Sequence, residues 1–269
     1  MKLNKLLLSL IVVILTGCAT GPYIDRSISA KSQDSRVKFL IVHYTEGNFA
    51  GSLKILSEGA VSSHYLINDS DGKIYGLVDE TRRAYHAGVS SWKGQNQLNY
   101  SSVGIEIVNP GLTATPAGDA WHDYPEQQIE NLIRLMKQIV DRHDIKPENI
   151  LGHSDIAPQR KIDPGPRFPW RRLAGEGLGI WPDARRVAAA QPRFEAQLPE
   201  LAWFREKLAQ FGYEVPPTVE LDEANRRVIA AFQMHFRPAR FDGLPDAETA
   251  AILEVLTSPA ESAAGGPVN

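Results

Sequence analysis

The chain has 269 residues, and at roughly 150 residues per domain this length predicts about two domains. Hydrophobic residues make up 43%, charged residues 23%, and the net charge is -3, as in an ordinary soluble protein. These values disfavour wholesale disorder, a fibrous repeat and a polytopic membrane protein. The chain lacks the lysine-rich runs of nucleic-acid-binding proteins, and its single cysteine excludes a disulfide framework and multi-cysteine metal sites.

The N-terminal residues have the organisation of a bacterial export signal. Lys2 and Lys5 precede an apolar run at 6–15, which is too short to cross the ~30 Å hydrocarbon core of a bilayer. The run ends in the tetrapeptide Leu-Thr-Gly-Cys, which resembles the lipobox of bacterial lipoproteins. We expect a signal peptide over 1–17. The alternative is an ordinary secretory signal that contains a chance cysteine.

Cys18 is then the lipid attachment point and not a catalytic nucleophile. Each buried CH₂ of an acyl chain contributes about 0.8 kcal/mol, so two or three chains anchor a protein stably while its domains stay in water. Ala19 stands where an aspartate usually signals inner-membrane retention, which implies an outer-membrane lipoprotein facing the periplasm. The segment 18–36 has no apolar period and is predicted to be a flexible spacer.

Strand and helix patterns alternate over the next segment, 37–180. Apolar periodicity and turn signals predict, in chain order, a buried strand at 37–43, a helix near 52–59, a hairpin of 64–68 and 74–78 around Asp71-Gly72, a strand at 103–108, a helix at 125–143 and a short buried strand at 149–152. This order predicts an α/β domain with a mixed central sheet flanked by helices.

The remaining chain has a helical pattern. Residues 181–197 are rich in Ala, Arg, Pro and Gln and are interpreted as a linker. Apolar residues at helical spacing then predict a small helical domain over 198–257. The small, polar tail at 258–269 is predicted to be disordered. Because the two parts have separate apolar faces, we expect a chain that ends near Gln197 to fold alone.

Polar side chains stand where buried strands end. His43 closes the first strand and His153 follows the last, and the carboxyl ends of strands are where ligands gather in open α/β sheets. Lys161 and Asp163 are two residues apart, so an extended backbone directs both to one side. Two imidazoles and a carboxylate suit a catalytic zinc ion. The alternatives are histidines satisfied by ordinary hydrogen bonds and an aspartate that initiates a turn before proline.

Glu106 lies within the apolar strand 103–108. Apolar neighbours raise the pKa of a carboxylate, which suits a general base. An exposed position on an edge strand is the alternative, and the residues alone leave both interpretations open.

Several short motifs occur in the order found in a known family. They are His43, Ser62–Ile67, Asp71-Gly72, Ala84–Gly88, Asn99–Glu106 and His153–Gly165. Over about 37–175, this set resembles the zinc-dependent N-acetylmuramoyl-L-alanine amidases of the amidase-2 group, which share their fold with T7 lysozyme and the peptidoglycan recognition proteins. The resemblance implies an enzyme that cleaves the amide between the lactyl group of N-acetylmuramic acid and L-alanine, in cell-wall turnover or recycling.

The resemblance also implies roles for individual residues. His43, His153 and Asp163 become the ligands of one Zn²⁺ per chain, Glu106 the general base and Lys161 the group that stabilises the oxyanion.

One further position departs from the family pattern, and two more are weaker matches. Ser63 stands where the phage and animal branch has a functional tyrosine, which leaves the proton transfers to Glu106. His86 and Arg160 are implied substrate contacts. Their alternatives are a packed loop histidine and a solvated arginine.

The C-terminal helices resemble the type 1 peptidoglycan-binding domain, which implies a small all-α domain of three helices. The motifs are Leu201–Phe204, Phe211–Tyr213, Ala231–Gln233, Phe241–Gly243 and Thr249. A bundle that only packs on the amidase domain is the alternative. The expected partners are peptidoglycan or muropeptides and, through the lipid, the outer membrane; no nucleic acid and no obligate protein partner are indicated. The competing function is a non-catalytic peptidoglycan-binding lipoprotein that tethers the outer membrane to the wall.

Overall fold

A computed structural model describes residues 22, 24–116 and 118–258. The predicted signal peptide, Cys18 and nearly all of the predicted tail at 258–269 lie outside the described residues. The chain divides between Asp34 and Ser35, and every strand and helix named below belongs to the unit that begins at Ser35. Within the part of the chain that the structure describes, no helix is both long enough and apolar enough to cross a bilayer.

A five-stranded sheet in the order β3-β2-β6-β1-β9 forms the centre of the fold. Nine strands make up this sheet and two small hairpins: β1 (Phe39–Tyr44), β2 (Tyr65–Ile67), β3 (Ile74–Gly76), β4 (Ser91–Trp92), β5 (Gln95–Asn96), β6 (Ser102–Ile107), β7 (Leu112–Thr115), β8 (Gly118–Trp121) and β9 (Ile150–Gly152), all within the described residues. Strand β1 pairs in parallel with β6 and β9, and β6 with β2, whereas β3 is antiparallel to β2. The predicted mixed sheet is confirmed.

The helices cover both faces of this sheet. Those of the described chain are α1 (Phe49–Glu58), α2 (Glu126–His143), α3 (His153–Ile156), α4 (Trp170–Gly175), α5 (Ala184–Ala196), α6 (Leu201–Phe211), α7 (Glu223–Phe236) and α8 (Ala247–Thr257). Aspartates begin three of the last four helices, because the carboxylates of Asp183, Asp222 and Asp246 accept the otherwise unpaired N–H groups of the first turn. The predicted helix at 125–143 corresponds to α2, which buries its apolar stripe.

Strand β1 is buried along its whole length because its two faces belong to two different cores. Leu40 and Val42 pack in a cluster with α2 and α4. Phe39 and Ile41, on the opposite face, pack in a cluster that contains Phe204 of α6. Successive side chains of a strand point to opposite faces, so the C-terminal helices supply the core of one sheet face.

The segment 181–197 differs from the predicted linker. Most of it forms α5, which Asp183 caps by accepting the N–H groups of Arg185 and Arg186. The helix packs along α8 and buries Phe194 in the core shared with the sheet. Alanine, arginine and glutamine favour helices, and this preference outweighs Pro192 inside the helix. The helical C-terminal region is confirmed, with α5 added to the three predicted helices.

Candidate active site

Three parallel strands bring the predicted site residues to one edge of the sheet. His43, near the end of β1, is paired in register with Glu106 of β6. Strand β9 ends at Gly152, and His153 begins α3 immediately after it. The following loop returns Asp163 to the same edge, where the N–H of Ser154 donates to the Asp163 carbonyl over 2.8 Å. Residues far apart in sequence therefore meet where the strands end.

Two imidazoles and one carboxylate converge at this edge. His43 Nδ1 lies 2.9 Å from His153 Nδ1, and each of these atoms lies 3.1 Å from Asp163 Oδ2. All three side chains are buried. With ligand bonds of about 2.0–2.2 Å, neighbouring donor atoms of a tetrahedral zinc site lie roughly 3.3 Å apart. The spacing of the three donor atoms therefore fits one tetrahedral metal ion with a fourth position left for another ligand.

The charge states of these residues suit metal ligation. Burial and the neighbouring His153 lower the pKa of His43 to about 4, so this imidazole is neutral near pH 7. Burial alone would raise the pKa of Asp163, but interactions with His153 and His43 outweigh burial and hold this pKa well below its usual value. A metal ion requires the same states, a neutral imidazole and an ionised carboxylate.

The outward-facing nitrogens of both imidazoles are also engaged. His153 Nε2 lies 3.2 Å from the carbonyl oxygen of Ala87, and His43 Nε2 lies 3.0 Å from His86 Nδ1. When Nδ1 ligates a metal, Nε2 carries the proton and donates to these acceptors. Such outer hydrogen bonds fix the tautomer and the orientation of a ligating histidine.

His86 lies against one of the proposed ligands, and its predicted substrate contact stays a prediction. Its ring is buried behind His43, and its Nε2 lies 3.2 Å from the hydroxyl of Ser102, which donates to the carbonyl of Leu98. Gly104 makes room for this ring, since a Cβ atom there would lie 2.4 Å from it. His86 orients the side chain of His43 and does not line the cleft of about 140 Å³ next to Asp163.

Arg160 is exposed and also makes protein contacts, while its predicted substrate contact stays a prediction. Its guanidinium donates to the carbonyl oxygens of Ala87 and Val89, with Nε 3.0 Å from the latter. These bonds hold the loop that carries the Ala87 acceptor of His153. The motifs located both residues near the site, but spacing alone could not tell which way their side chains point.

A cleft of about 140 Å³ adjoins Asp163, the carboxylate of this donor set. Glu106, Lys161 and Asp163 line it together with Tyr44 and Glu46. The Glu106 atom Oε2 is buried and has no hydrogen-bond partner among the described residues. Burial and the negative charge of Asp163 raise the pKa of Glu106 well above its usual value, against the opposing effect of Lys161. Because β6 lies between β2 and β1, Glu106 is not on an edge strand.

Sequence reasoning did not predict the surroundings of two buried hydroxyl groups. Ser63 is fully buried, and its hydroxyl has no partner in the described part of the chain. Tyr44 was not among the predicted site residues, yet it lines the cleft, and its buried hydroxyl is likewise without a partner among the described residues. Burial and the nearby charge of Asp163 raise the pKa of Tyr44, so its phenol stays neutral. Strand alternation would have placed Tyr44 on the face opposite His43.

The mixed sheet carries at its carboxyl edge a His-His-Asp set that is compatible with a metal site, beside a carboxylate and a lysine. Residues 33–166 match the family model described as N-acetylmuramoyl-L-alanine amidase, and residues 197–253 match that of a putative peptidoglycan binding domain. N-acetylmuramoyl-L-alanine amidase AmiD of Escherichia coli (strain K12) is 43% identical over 262 residues, which cover 91% of this chain and 94% of AmiD. The chain belongs to the N-acetylmuramoyl-L-alanine amidase family.

Two solved structures extend the similarity to the whole architecture. The complex of AmiD from E. coli with anhydro-N-acetylmuramic acid-L-Ala-D-gamma-Glu-L-Lys superposes with a TM-score of 0.79 at 43% identity, covering 87% of this chain and 93% of that one. AmpDH3 from Pseudomonas aeruginosa, in complex with anhydromuramic pentapeptide, gives a TM-score of 0.80 at 41% identity, covering 87% of this chain and 96% of that one. The similarity includes the C-terminal helices.

Proposed function

We propose that this chain hydrolyses the amide between the lactyl group of N-acetylmuramic acid and L-alanine of peptidoglycan or muropeptides, in cell-wall turnover or recycling. The observation that carries the proposal is the convergence of two imidazole nitrogens and one carboxylate oxygen beside a cleft lined by Glu106 and Lys161. The AmiD complex supports the substrate class, since its bound substrate contains the same muramic acid and L-alanine units.

The donor set is the reason for proposing zinc. His43, His153 and Asp163 would hold one ion, because two neutral imidazoles and a carboxylate are ligands that zinc prefers in catalytic sites. When bound, zinc supplies a Lewis acid that makes water a competent nucleophile near neutral pH.

Glu106 then transfers the proton, and Lys161 stabilises the developing negative charge. Glu106 accepts a proton from the attacking water as the water oxygen bonds to the lactyl carbonyl carbon. The ammonium group of Lys161 stabilises the negative charge that develops on the carbonyl oxygen. Glu106 returns its proton to the nitrogen of L-alanine as the C–N bond breaks, so the products are a free stem peptide and a lactyl carboxylate. A raised pKa lets one carboxyl group act in both directions.

The activity is tested with one defined muropeptide, anhydro-N-acetylmuramic acid-L-Ala-D-γ-Glu-L-Lys. Mass spectrometry should detect the free tripeptide and unsubstituted anhydro-N-acetylmuramic acid after incubation with the full-length protein. If the muropeptide stays intact while the protein sediments with purified sacculi, the chain is instead a non-catalytic peptidoglycan-binding protein. We assign that sedimentation to the helical region matched at 197–253.

Glu106→Gln should separate catalysis from metal binding. The amide has nearly the same size but cannot accept the proton, so we expect a loss of about 10²-fold or more in kcat, with zinc content unchanged. The matched control is Glu46→Gln, a second carboxylate on the wall of the same cleft. Equal rates for the wild-type protein and Glu106→Gln would contradict the general-base role.

The proposed location is the outer membrane on its periplasmic side, through a lipid on Cys18. The support is the lipobox-like tetrapeptide that ends at the only cysteine of the chain. Cys18→Ala should abolish incorporation of labelled palmitate during expression in a bacterial host, because no other thiol is present. Thr20→Ala, which keeps the cysteine, should incorporate the label like the wild-type protein. Labelling of Cys18→Ala would refute the anchor.

A further inference from the structure

A buried carboxylate lies directly behind one of the proposed metal ligands. Asp155 is the third residue of the single-turn helix α3, which begins with His153. It is 1% exposed, and its Oδ2 accepts the backbone N–H of Gly152 over 2.7 Å. This bond closes the first turn of the helix, as the acidic residue of a capping box does. The orientation of the Asp155 side chain and the backbone position of His153 are therefore linked.

The C-terminal helices provide two more donors to this carboxylate. The hydroxyl of Tyr213, which follows α6, donates to Asp155 Oδ1 over 2.5 Å. Nδ1 of His235, on α7, donates to Asp155 Oδ2 over 2.8 Å. Both side chains are buried. The two carboxylate oxygens are thus held from outside the segment that carries the catalytic residues.

These donors are themselves held by packing. The ring of His235 stacks on Trp170 with centroids 3.9 Å apart and planes 14° from parallel. The Tyr213 ring meets Trp92 edge to face at 5.0 Å. Loss of a hydrogen-bond donor to a buried carboxylate strongly raises the free energy of the folded state. The Asp155 side chain would therefore rotate toward another donor. That movement would break its bond to Gly152 and release the first turn of α3.

The backbone at this turn has little space for such a movement. A Cβ atom on Gly152 would lie 2.7 Å from Pro164 Cδ, in the loop that carries Asp163. Displacement of the turn therefore changes the distance between His153 Nδ1 and Asp163 Oδ2, two of the three atoms proposed to ligate zinc.

We propose that Tyr213 and His235 are positioning residues of the amidase site, which act through Asp155 to hold His153 in its metal-binding position. The C-terminal helices are then part of the metal centre's support in addition to any contact they make with peptidoglycan. This inference rests on the zinc site of the proposed function.

Two substitutions of His235 separate positioning from packing. Asparagine keeps an N–H near the place of Nδ1 but loses the stacking on Trp170, whereas phenylalanine keeps the stacking and loses the donor. The measurement is the zinc affinity of the full-length protein, obtained by competition with a chromophoric chelator, together with the thermal midpoint. We expect His235→Phe to bind zinc about 10-fold or more weakly, the size typical of outer hydrogen bonds to ligands, and His235→Asn to stay within about 3-fold of the wild-type protein.

Tyr213→Phe removes one oxygen atom and should weaken zinc binding in the same direction as His235→Phe. The control is Phe204→Leu, which lies on α6 in the same core cluster and should lower the thermal midpoint with zinc affinity unchanged. If both phenylalanine variants bind zinc as tightly as Phe204→Leu, or if His235→Asn is weakened as much as His235→Phe, the positioning role is wrong. If the wild-type protein itself binds no zinc, the proposed metal site is wrong instead.

Discussion

A chelator should abolish hydrolysis of the muropeptide, and added zinc should restore it. The expected loss is complete, because Glu106 and Lys161 remain in the cleft but the Lewis acid that makes water a nucleophile is gone. The metal-free protein should also melt at a lower temperature, since an ion that binds only the folded state stabilises that state. Full activity in protein shown to be metal-free would overturn the mechanism.

Substitution of one ligand should have the same effect by another route. His153→Ala leaves only one imidazole and one carboxylate, so we expect its metal content after dialysis to fall close to zero and its turnover with it. The matched control is His122→Ala, because His122 is exposed and its Nε2 contacts only the hydroxyl of Thr113 among the described residues. Metal analysis and the rate of stem-peptide release should both separate the two variants.

The sheet and the ligand positions follow from local patterns in the sequence. The run 37–43 is nearly continuously apolar and indicates a strand covered on both faces, which β1 is. His43 stands near the end of one buried strand and His153 directly follows another, and parallel strands end at the same sheet edge, so their proximity could be expected. Glu106 was ambiguous because a strand pattern does not state the order of strands. The observed order places β6 inside the sheet.

The directions of side chains in loops could not be predicted in this way. His86 and Arg160 belong to loops whose backbone conformation depends on tertiary contacts, such as the two carbonyls that Arg160 binds. The same limit applies to the C-terminal helices, because helical periodicity reveals an apolar face but not its partner. Residues 181–197 were interpreted as a linker from their proline and glutamine content, and the contact of α5 with α8 has no local signal.

The nearly continuous apolar run of β1 did contain evidence about the C-terminal region. A strand buried on both faces needs a second layer, and α2 and α4 cover only one face. The second face is covered by a cluster in which Phe39 and Ile41 of β1 share contacts with Phe204 and Phe232. The two parts of the chain therefore do not have separate cores, and the expectation that the N-terminal part folds alone needs revision.

Truncation after Gln197 is accordingly expected to prevent cooperative folding. Loss of α6–α8 exposes the sheet face that carries Phe39 and Ile41, and it removes the fully buried side chains of Phe204 and Phe232. Truncation of one buried phenylalanine to alanine costs about 3–5 kcal/mol, and the stability of a whole domain is only about 5–15 kcal/mol. The stabilising free energy lost with three packed helices exceeds the free energy of unfolding of the whole domain.

Circular dichroism melting and sedimentation test this expectation. The chain that ends at Gln197 should aggregate or melt without a cooperative transition. The matched control ends at Ser258, keeps all eight described helices and should melt like the full-length protein. A soluble 1–197 chain that melts cooperatively, binds zinc and cleaves a muropeptide at the full-length rate would restore the interpretation of two independent modules. It would also show that His153 is held in place without Tyr213 and His235, because both residues are missing from that chain.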